Sequence, residues 1–566
     1  MSLLSSIQMA GNALQVNDIG LQVTGQNIAN ADTPGYIREQ LEVEPAPTQQ
    51  YGGLLLGTGV QVEAVTEQVN NFLEDQLNGA TSAQSSADSL EGSYSQLEQI
   101  VGALNTSNLS SAMSGFFSSI NNVLNSPSDA SVRNLAVLQG ESLCTAINQM
   151  ASQTESLRAN VNTNVSDMAS SINDLTQQIG SLNLQIENAD GGNTSKSDAI
   201  GLNDQRLQAI QNLSQLIGVS TVTQSNGTVS VYVGNDYLVD EGTVRTVYQD
   251  PRSDGGQTVD DLRVTGTNTL LNPTSGQLQG LLQARDTVIP GFLDSLNQFA
   301  GTLSSEFNQI YSSGQGLDGF TTTTSENAVD DPNASLAATG LTNPPGNGSF
   351  QVLVQNTTTG LTQTSTINVN INGPGSPTTL SNLVGQLNQI SGISASIGSD
   401  NRLTIASTSP SQTQFSFADD TSGVLTALGI NTFFTGSTAG DIGVNAAVQQ
   451  DPSKFAASQG GIAADTNNAV LLTQLPDQPL ASQNGNTINV MYNNMVNDVT
   501  QGSAQAQTTA AAADTYQQTL SNEVLSTSGV SIDDETIQMM SYQRAYQASA
   551  EFITTLNQLF QTLVQL

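Results

Sequence analysis

The chain has 566 residues, and its 49 acidic and 12 basic residues give a net charge of −37, which repels nucleic-acid phosphates and anionic lipid headgroups. This length exceeds what one hydrophobic core organises, so we expect several domains. With no histidine and only Cys144 as a thiol, the chain lacks the residue pairs of most zinc sites and cannot form an intrachain disulfide. No run of 18 apolar residues predicts a membrane span.

The chain begins with a predicted helix from Leu3 to Asn30, in which Asp18 is the only charged residue. Pro34 pushes Thr33 out of the helical region, and Pro34-Gly35 suits the centre of a type II turn, so the helix is expected to stop there. The first candidate assembly surface consists of this helix's apolar residues and the turn: Leu3, Ile7, Leu14, Leu21, Ile28, Pro34, Gly35 and Tyr36.

The same opening stretch carries no lysine or arginine before Arg38 and so lacks the basic start of an ordinary secretory signal. We therefore expect either a protein that stays inside the cell or one that leaves by a route without a cleaved signal.

Long helical rods are predicted from apolar residues spaced alternately three and four apart between residues 83 and 104 and between 157 and 186. The stretch 188–193, "NADGGN", breaks the second rod, and the pattern resumes over 207–217. The alanine-rich stretch 503–525 has the composition of a helix that could return antiparallel to these rods. Early and late parts of the sequence are then expected to build the same domain.

The middle of the chain is rich in predicted strands. Alternating residues around Asn226-Gly227 are a strong hairpin signal. From 346 to 436 the order strand, strand, helix, three strands and a short helix indicates a separate module, and its flanks over 321–334 and 436–441 have the composition of linkers.

A second long helix is predicted at the other end of the sequence, where Ser531 or Asp533 can cap its start. Beyond Ile537 it carries only Arg544 and Glu551 as charges, although a helix exposed to water normally shows a charged face. We therefore expect it to contact partners on more than one side. The second candidate surface, for assembly or chaperone binding, consists of Met539, Tyr542, Tyr546, Ile553, Leu556, Phe560 and Leu563, all of them in two heptad series.

The sequence offers little for catalysis. Without histidine the usual catalytic base is absent, and no phosphate-binding or dinucleotide-binding glycine motif is present. Acid pairs such as Asp419-Asp420 and Asp533-Asp534 could serve a glycosidase, but they more often cap helices or face solvent. The stretch "DGGNTSKSD" at Asp190 lacks the spacing of a calcium-binding EF-hand loop. We predict no enzyme activity, no metal and no cofactor.

Both ends resemble the flagellar rod, hook and hook-associated proteins. "NIANADTPGY", from Asn27 to Tyr36, is similar to the stop signature after the first helix of that family, with Asp32 where the pattern often has asparagine. "YQRAYQASA", from Tyr542 to Ala550, resembles its C-terminal helix. Interior stretches such as "INDLTQQIGSLNLQIENAD" and "VNAAVQQDPSKFAAS" are similar to hook-associated members.

The resemblance implies a multidomain α+β protein whose terminal helices pair as a coiled-coil domain lining a channel, followed by a long helical rod domain and outer β-rich domains. The implied domains are 1–60 with 520–566, 61–215 with 437–519, 216–325 and the inserted module 346–436.

The resemblance also implies a structural subunit at the junction of hook and filament, secreted unfolded through the flagellar type III system. The implied partners are copies of the chain in a ring, the hook protein, the next hook-associated protein and an export chaperone. Two alternatives are another flagellar axial subunit and a secreted adhesin or carbohydrate-acting protein.

Overall fold

The computed structural model describes residues 3–33, 35–51, 53–102, 109–189, 199–372 and 376–565. These residues form two compact units. The terminal unit comprises Met1–Ser93, Ala159–Thr287 and Ala504–Leu566, and the central unit comprises Tyr94–Arg158 and Val288–Ser503. Early and late sequence therefore share one unit, as predicted. The finer four-part division of the chain stays a prediction.

Helices account for the longest elements. In chain order they are α1 (Leu3–Asn30), α2 (Asn71–Val101), α3 (Leu109–Asn125), α4 (Ala130–Ala189), α5 (Ile200–Leu216), α6 (Gln277–Gln283), α7 (Ile289–Tyr311), α8 (Leu380–Leu387), α9 (Val424–Leu428), α10 (Ala446–Gln450), α11 (Asn467–Gln474), α12 (Ile488–Ser528) and α13 (Ile532–Val564). Both predicted terminal helices and both predicted rods are confirmed. The break predicted over 188–193, and the loop that begins at Asp190, lie mostly or wholly outside the described residues.

The strands are short and pair antiparallel. They are β1 (Glu39–Pro45), β2 (Gln49–Tyr51), β3 (Leu54–Leu56), β4 (Val60–Glu67), β5 (Ser220–Thr223), β6 (Val229–Val233), β7 (Asp236–Asp240), β8 (Thr243–Val244), β9 (Val247–Asp254), β10 (Gln257–Val264), β11 (Thr322–Thr324), β12 (Gly348–Asn356), β13 (Thr362–Val369), β14 (Ile393–Ile397), β15 (Leu403–Ser407), β16 (Thr413–Ala418), β17 (Phe434–Thr435) and β18 (Gly443–Val444).

In the terminal unit α1 packs against α13, and α2 packs against α12. Leu77 and Ala80 contact Leu520, and Gln84 Nε2 donates to Asp514 Oδ1 over 3.0 Å. Residue numbers rise along α2 as they fall along α12, so the alanine-rich helix returns antiparallel as predicted.

The predicted hairpin at Asn226-Gly227 is confirmed as the turn between β5 and β6, with Gly227 at φ 83°. The four-stranded sheet β5-β6-β7-β8 is tied to α4 by one buried side chain. Asn183 donates to the carbonyls of Val229 and Glu241 and accepts the Val229 N–H. A single amide thus satisfies three backbone groups and fixes the sheet on the helix.

In the central unit a cluster of aromatic rings forms the core between α3, α7 and the segment after α9. Phe116, Phe307, Phe433 and Phe434 have neighbouring centroids 4.8 to 5.5 Å apart. Offset and edge-to-face pairs at this spacing add about 0.5–1.5 kcal/mol each beyond the burial of their area. This core holds the helices of the unit together.

The strands and helices predicted for the module form in the predicted order, as the sheets β13-β12-β16 and β11-β15-β14 with the helices α8 and α9, and its status as an inserted domain stays a prediction. The prediction of a linker over 321–334 is wrong. Thr322–Thr324 form strand β11, which pairs with β15, and Val329 lies in the module's own core. The backbone of this polar stretch forms hydrogen bonds with the strand at the edge of a sheet, and amino-acid composition does not predict such a pairing.

The module also ends earlier than its sequence limits suggested. Phe433 and Phe434 belong to the aromatic core, and Asn431 closes the module at its base. The Asn431 side chain donates to the carbonyls of Ser312 and Gly314, each over 2.9 Å. The entering and leaving chains are therefore held side by side. No helix among the described residues is long and apolar enough to cross a membrane.

Candidate assembly surfaces at the chain termini

The turn after α1 forms where it was predicted. The Tyr36 N–H donates to the Thr33 carbonyl over 3.2 Å, and Gly35 has φ 80°, which suits the third position of a type II turn. A side chain at this φ is strained, so glycine fits the position. Pro34 itself lies outside the described residues.

A buried polar network ties this turn to the start of α13. Asn27 is fully buried, and its amide exchanges hydrogen bonds with the backbone N–H and carbonyl of Glu39 over 3.0 and 2.9 Å. Tyr36 Oη donates to Asn27 Oδ1 over 2.9 Å, and Asn27 Nδ2 donates to Glu535 Oε2 over 3.1 Å. One asparagine therefore connects α1, β1 and α13.

An ion pair completes the network. Arg38 Nε lies 2.7 Å from Glu535 Oε1, and the Glu535 side chain is almost fully buried. The Arg38 N–H also donates to the Ser528 carbonyl over 3.0 Å, at the corner between α12 and α13. A charge-assisted bond shielded from water is stronger than an exposed pair. Residues next to the first turn therefore set where the last helix begins.

Burial perturbs the titration of groups around this network. Desolvation, followed by the nearby charge of Glu39, raises the pKa of Tyr36, and desolvation also raises the pKa of Glu39. Burial raises the pKa of Asp204 to about 6. Oδ1 of Asp204 is buried without a hydrogen-bond partner among the described atoms. This carboxyl group is therefore easier to protonate than an ordinary aspartate.

The helices α1 and α13 run antiparallel in close contact. A Cβ placed on Gly20 would lie only 2.6–2.8 Å from ring atoms of Tyr542, and one on Gly25 would lie 3.9 Å from the Met539 side chain. Gly20 therefore has to be small for the Tyr542 ring to lie against the α1 backbone. Higher residue numbers in α1 face lower ones in α13, which establishes the antiparallel direction.

The structure places the predicted α1 residues beside the contact with α13. Ile7, Leu14, Leu21 and Ile28 are each only partly buried. The face of α1 that is buried within the unit is formed by Ala10, Val16, Gly20, Val23, Thr24 and Asn27. The predicted heptad series is thus distinct from the intrachain seam and keeps exposed apolar surface. Leu3 is helical, but its side chain lies outside the described residues.

The predicted α13 residues divide into two groups. Leu556 is buried, and Met539, Tyr542 and Ile553 are partly buried, whereas Tyr546 and Phe560 are exposed. The side chain of Leu563 lies outside the described residues. Further exposed apolar residues continue the surface: Ile537, Met540, Phe552, Leu559 and Val564. An exposed apolar surface of this length is typical of an association site.

Sequence reasoning missed the polar residues that fix the geometry. Asn27 and Glu535 are 508 positions apart, so no local pattern connects them. The only signal available was chemical: an asparagine in an otherwise amphipathic helix, an arginine directly after the turn, and a glutamate in the first turn of α13.

The acid pairs considered as catalytic carboxylates have structural roles where the structure describes their contacts. Asp420 Oδ1 accepts the N–H of Ser422 and Gly423, and its Oδ2 accepts the N–H of Leu425. Asp533 and Asp534 lie in the first turn of α13, where Ser531 is the N-cap. Among the described residues no group of three or more acidic, histidine or cysteine side chains is arranged to hold a metal ion.

Three segments of the chain match known protein families. Residues 94–325 match the family described as "Flagellar hook-associated protein FlgK helical domain". Residues 521–566 match "Flagellar basal body rod FlgEFG protein C-terminal", and residues 7–36 match "Flagella basal body rod protein". The two end matches are to families named for basal body rod proteins, and the match at 94–325 is to a family named for the hook-associated protein FlgK.

Similar proteins extend the match along the chain. Flagellar hook-associated protein 1 of Escherichia coli (strain K12) is 26% identical over 588 residues, covering 99% of this chain and 100% of that protein. The protein of the same name from Salmonella typhimurium is 25% identical over 596 residues, with the same coverage. A solved structure, titled as the flagellar hook junction protein FlgK from Burkholderia pseudomallei, aligns with a TM-score of 0.49 at 19% identity, covering 79% of this chain and 99% of that one. The chain is thus similar over its full length to flagellar hook-associated protein 1, and its residues 94–325 match the FlgK helical-domain family.

Proposed function

We propose that the chain is a structural subunit of the bacterial flagellum that forms the junction ring between hook and filament. The observation that carries this function is the pairing of the two terminal helices, which leaves apolar side chains exposed on α13 in a family of flagellar junction proteins. The chain performs this function by forming contacts with neighbouring subunits, and no chemical reaction is required. The proposed location is extracellular, at the hook-filament junction.

The proposed partners are copies of the chain in the ring, the hook protein and the next hook-associated protein. Exposed Phe560 and Tyr546, with the predicted series at Ile7, Leu14 and Leu21, are the proposed contacts. Burial of an apolar side chain from an exposed position contributes about 1.5–3 kcal/mol. A ring repeats that gain in every copy, so modest contacts suffice for a stable joint.

Export is proposed to follow the flagellar type III route, with a dedicated chaperone holding α13 before secretion. The same exposed apolar residues of α13 are available to a chaperone only while they are not buried in the ring. Chaperone binding and assembly at this surface are therefore mutually exclusive.

The test is genetic and structural. We expect a strain lacking the chain to carry hooks without filaments and to release filament subunits into the medium, and antibody labelling of the complemented strain to mark the tip of the hook. Phe560→Asp should leave the monomer folded and remove filaments, because an unpaired charge buried in an interface costs several kcal/mol. Gln558→Asp, at an exposed neighbouring position, is the matched control. Normal filaments in the deletion strain would refute the function.

A further inference from the structure

Arg544 differs from the other basic side chains of the described chain. Arg38, Arg245, Arg252, Arg263, Arg285, Arg402 and Lys454 form ion pairs, Arg133 and Arg206 donate to carbonyl groups, and the buried Arg158 also has an interaction partner. Arg544 is exposed on α13 and has no partner among the described residues. In a chain of net charge −37, a cation without any partner within the described residues is unusual.

The contact between Gly20 and Tyr542 fixes the direction in which Arg544 points. Consecutive residues of a helix are rotated by about 100°, so a residue two positions away lies about 200° around the helix. Arg544 follows Tyr542 by two positions and therefore lies on the side of α13 turned away from α1. The exposure of its helical neighbours Met540, Ser541 and Ala548 agrees with this placement.

The same reasoning applies to Asp18, the only charged residue of α1. Asp18 precedes Gly20 by two positions and so lies on the side of α1 turned away from α13. It is exposed, and within the described part of the chain its Oδ2 accepts a hydrogen bond only from Gln22 Nε2, one turn along the same helix, over 3.2 Å.

The two charges also lie at the same height along the helix pair. The helices α1 and α13 are antiparallel. A step of two residues back from Gly20 along α1 therefore points in the same direction as a step of two residues forward from Tyr542 along α13, and each step covers about 3 Å at 1.5 Å per residue. The helix pair therefore carries one negative charge on one edge and one positive charge on the opposite edge, at one level.

We propose that Arg544 of one copy pairs with Asp18 of the next copy, so that helix pairs associate side by side through opposite edges. An association that joins two different edges is heterologous, and repeated copies close into a ring when the rotation permits. The other charges of the two helices are the acids of the first turn of α13 and Glu551, about 10 Å from Arg544 along the axis, so this pair is the only one of opposite sign at its level. The inference rests on the proposed junction ring and names the lateral contact within it.

Cysteine cross-linking in isolated flagella tests the pair. In a chain carrying Asp18→Cys and Arg544→Cys, the two thiols lie on opposite edges of the same helix pair and can meet only between copies. The native Cys144 is buried, and burial raises the pKa of its thiol to about 12, so it does not compete under mild copper-catalysed air oxidation. We expect dimers and higher multimers that disappear on reduction.

The matched control combines Gln8→Cys with Arg544→Cys. Gln8 is exposed on α1 but lies ten residues, about 15 Å, from Asp18 along the axis. Cross-linking of the control as strong as that of the test pair, or no cross-linking of the test pair, would overturn the inference. Detection of the chain in the isolated flagella by antibody tests the proposed function separately, because a chain absent from flagella refutes the ring itself.

Charge reversal supplies a second readout. Asp18→Arg and Arg544→Asp should each lower the number of filaments per cell about tenfold, because facing like charges weaken an interface, and the double reversal should restore filaments to within about twofold of the parent. Equal loss in the single and double variants would overturn the pairing. Secretion of each variant at the parental level confirms that export is unaffected, and a parental unfolding midpoint of each purified monomer confirms that folding is unaffected.

Discussion

The two units use their phenylalanines in opposite ways. Twelve of the fifteen phenylalanines lie in the central unit, and all twelve are buried. The three in the terminal unit, Phe72, Phe552 and Phe560, are 68%, 43% and 52% exposed. The central unit therefore completes its core from its own residues, whereas the terminal unit retains apolar surface that only another molecule can cover.

Their acidic side chains differ as well. In the terminal unit burial raises the pKa of Glu39, Glu74, Asp88 and Asp204. In the central unit the pKa of Asp451 and of Asp465 is lowered, although burial opposes this, because N–H and hydroxyl groups donate to these carboxylates. Hydrogen bonds thus stabilise the ionised form of these two carboxylates in the central unit. In the terminal unit burial disfavours the ionised form of the four carboxylates named.

The largest expected effect is on the central core. Phe307→Ala should lower the free energy of unfolding of the central unit by about 3–5 kcal/mol, because a buried ring is replaced by a cavity. Phe552→Ala, the same change at an exposed position of the terminal unit, should leave the unfolding midpoint in denaturant unchanged. A similar loss in both variants would remove the contrast between the units.

The next effect concerns the buried ion pair. Arg38→Met should destabilise the contact between α1 and α13 by about 2–3 kcal/mol, because it leaves the Glu535 carboxylate buried without its cation. Hydrogen exchange of the Arg38 and Glu39 amides should accelerate, while amides around Phe307 stay protected. Arg544→Met is the control, since Arg544 has no partner within the described residues, and fast exchange in that variant would contradict our account.

A smaller effect is expected on the pH dependence of stability. The pKa of Asp204 is raised from 3.8 to about 6, so its contribution to stability is present below pH 3.8 and is lost as the pH rises through 6. Asp204→Asn should therefore stabilise the terminal unit by about 1 kcal/mol above pH 6, the shift being discounted for partial exposure, and should have no effect near pH 3.5.

Asp465→Asn supplies the opposite sign in the central unit. The pKa of Asp465 is lowered, so its stabilisation is present above pH 3.8 and is lost as the pH falls. This variant should be less stable than the parent at pH 7 and equal to it under strongly acidic conditions. Thermal unfolding of both variants across pH 3–8 checks the pair of predictions, and parallel curves would contradict them.

The smallest effect is expected from removing the module. Replacement of residues 320–430 by a short Gly-Ser linker should leave the aromatic core and filament formation intact, because Asn431 holds the two ends of the module together. Replacement of 346–436 is the informative contrast. It deletes Phe433 and Phe434 and should unfold the central unit. Stable protein from the longer deletion that fails to hold filaments would show that the module is part of the joint.

The local hydrophobic pattern of the sequence was sufficient to predict elements whose neighbours are near in sequence. The predicted first helix agrees with α1 from Leu3 to Asn30, and the order of strands and helices in the module is as predicted. Periodicity reports which side of an element is buried, which explains this success. It does not report what covers that side, so the intrachain face of α1, with Val16, Val23 and Asn27, was not distinguished from the heptad series.

The remaining errors share a cause. Strand β11 consists of threonines in a polar stretch and is held by backbone bonds to β15, which leave no apolar signal. Phe433 and Phe434 follow the module in sequence but pack against Phe116, more than 300 positions earlier in the chain. Contacts of this kind form only in the completed fold, between residues far apart in the sequence. The local pattern of a single sequence therefore does not predict them.

The Arg38–Glu535 pair also determines an order of folding. The two residues are 497 positions apart, and closing so long a segment carries a loop-closure entropy that nearby contacts do not. The continuous segment 288–503 can begin to condense from its own length, whereas α1 can pack only against the neighbouring strands β1 and β4 until α13 is present. Contacts between distant residues form late, so the terminal unit is expected to be the last part of the molecule to become ordered. A chain that emerges from either end therefore keeps its associating helices unpaired until nearly all of it is present, which delays self-association until the subunit is complete.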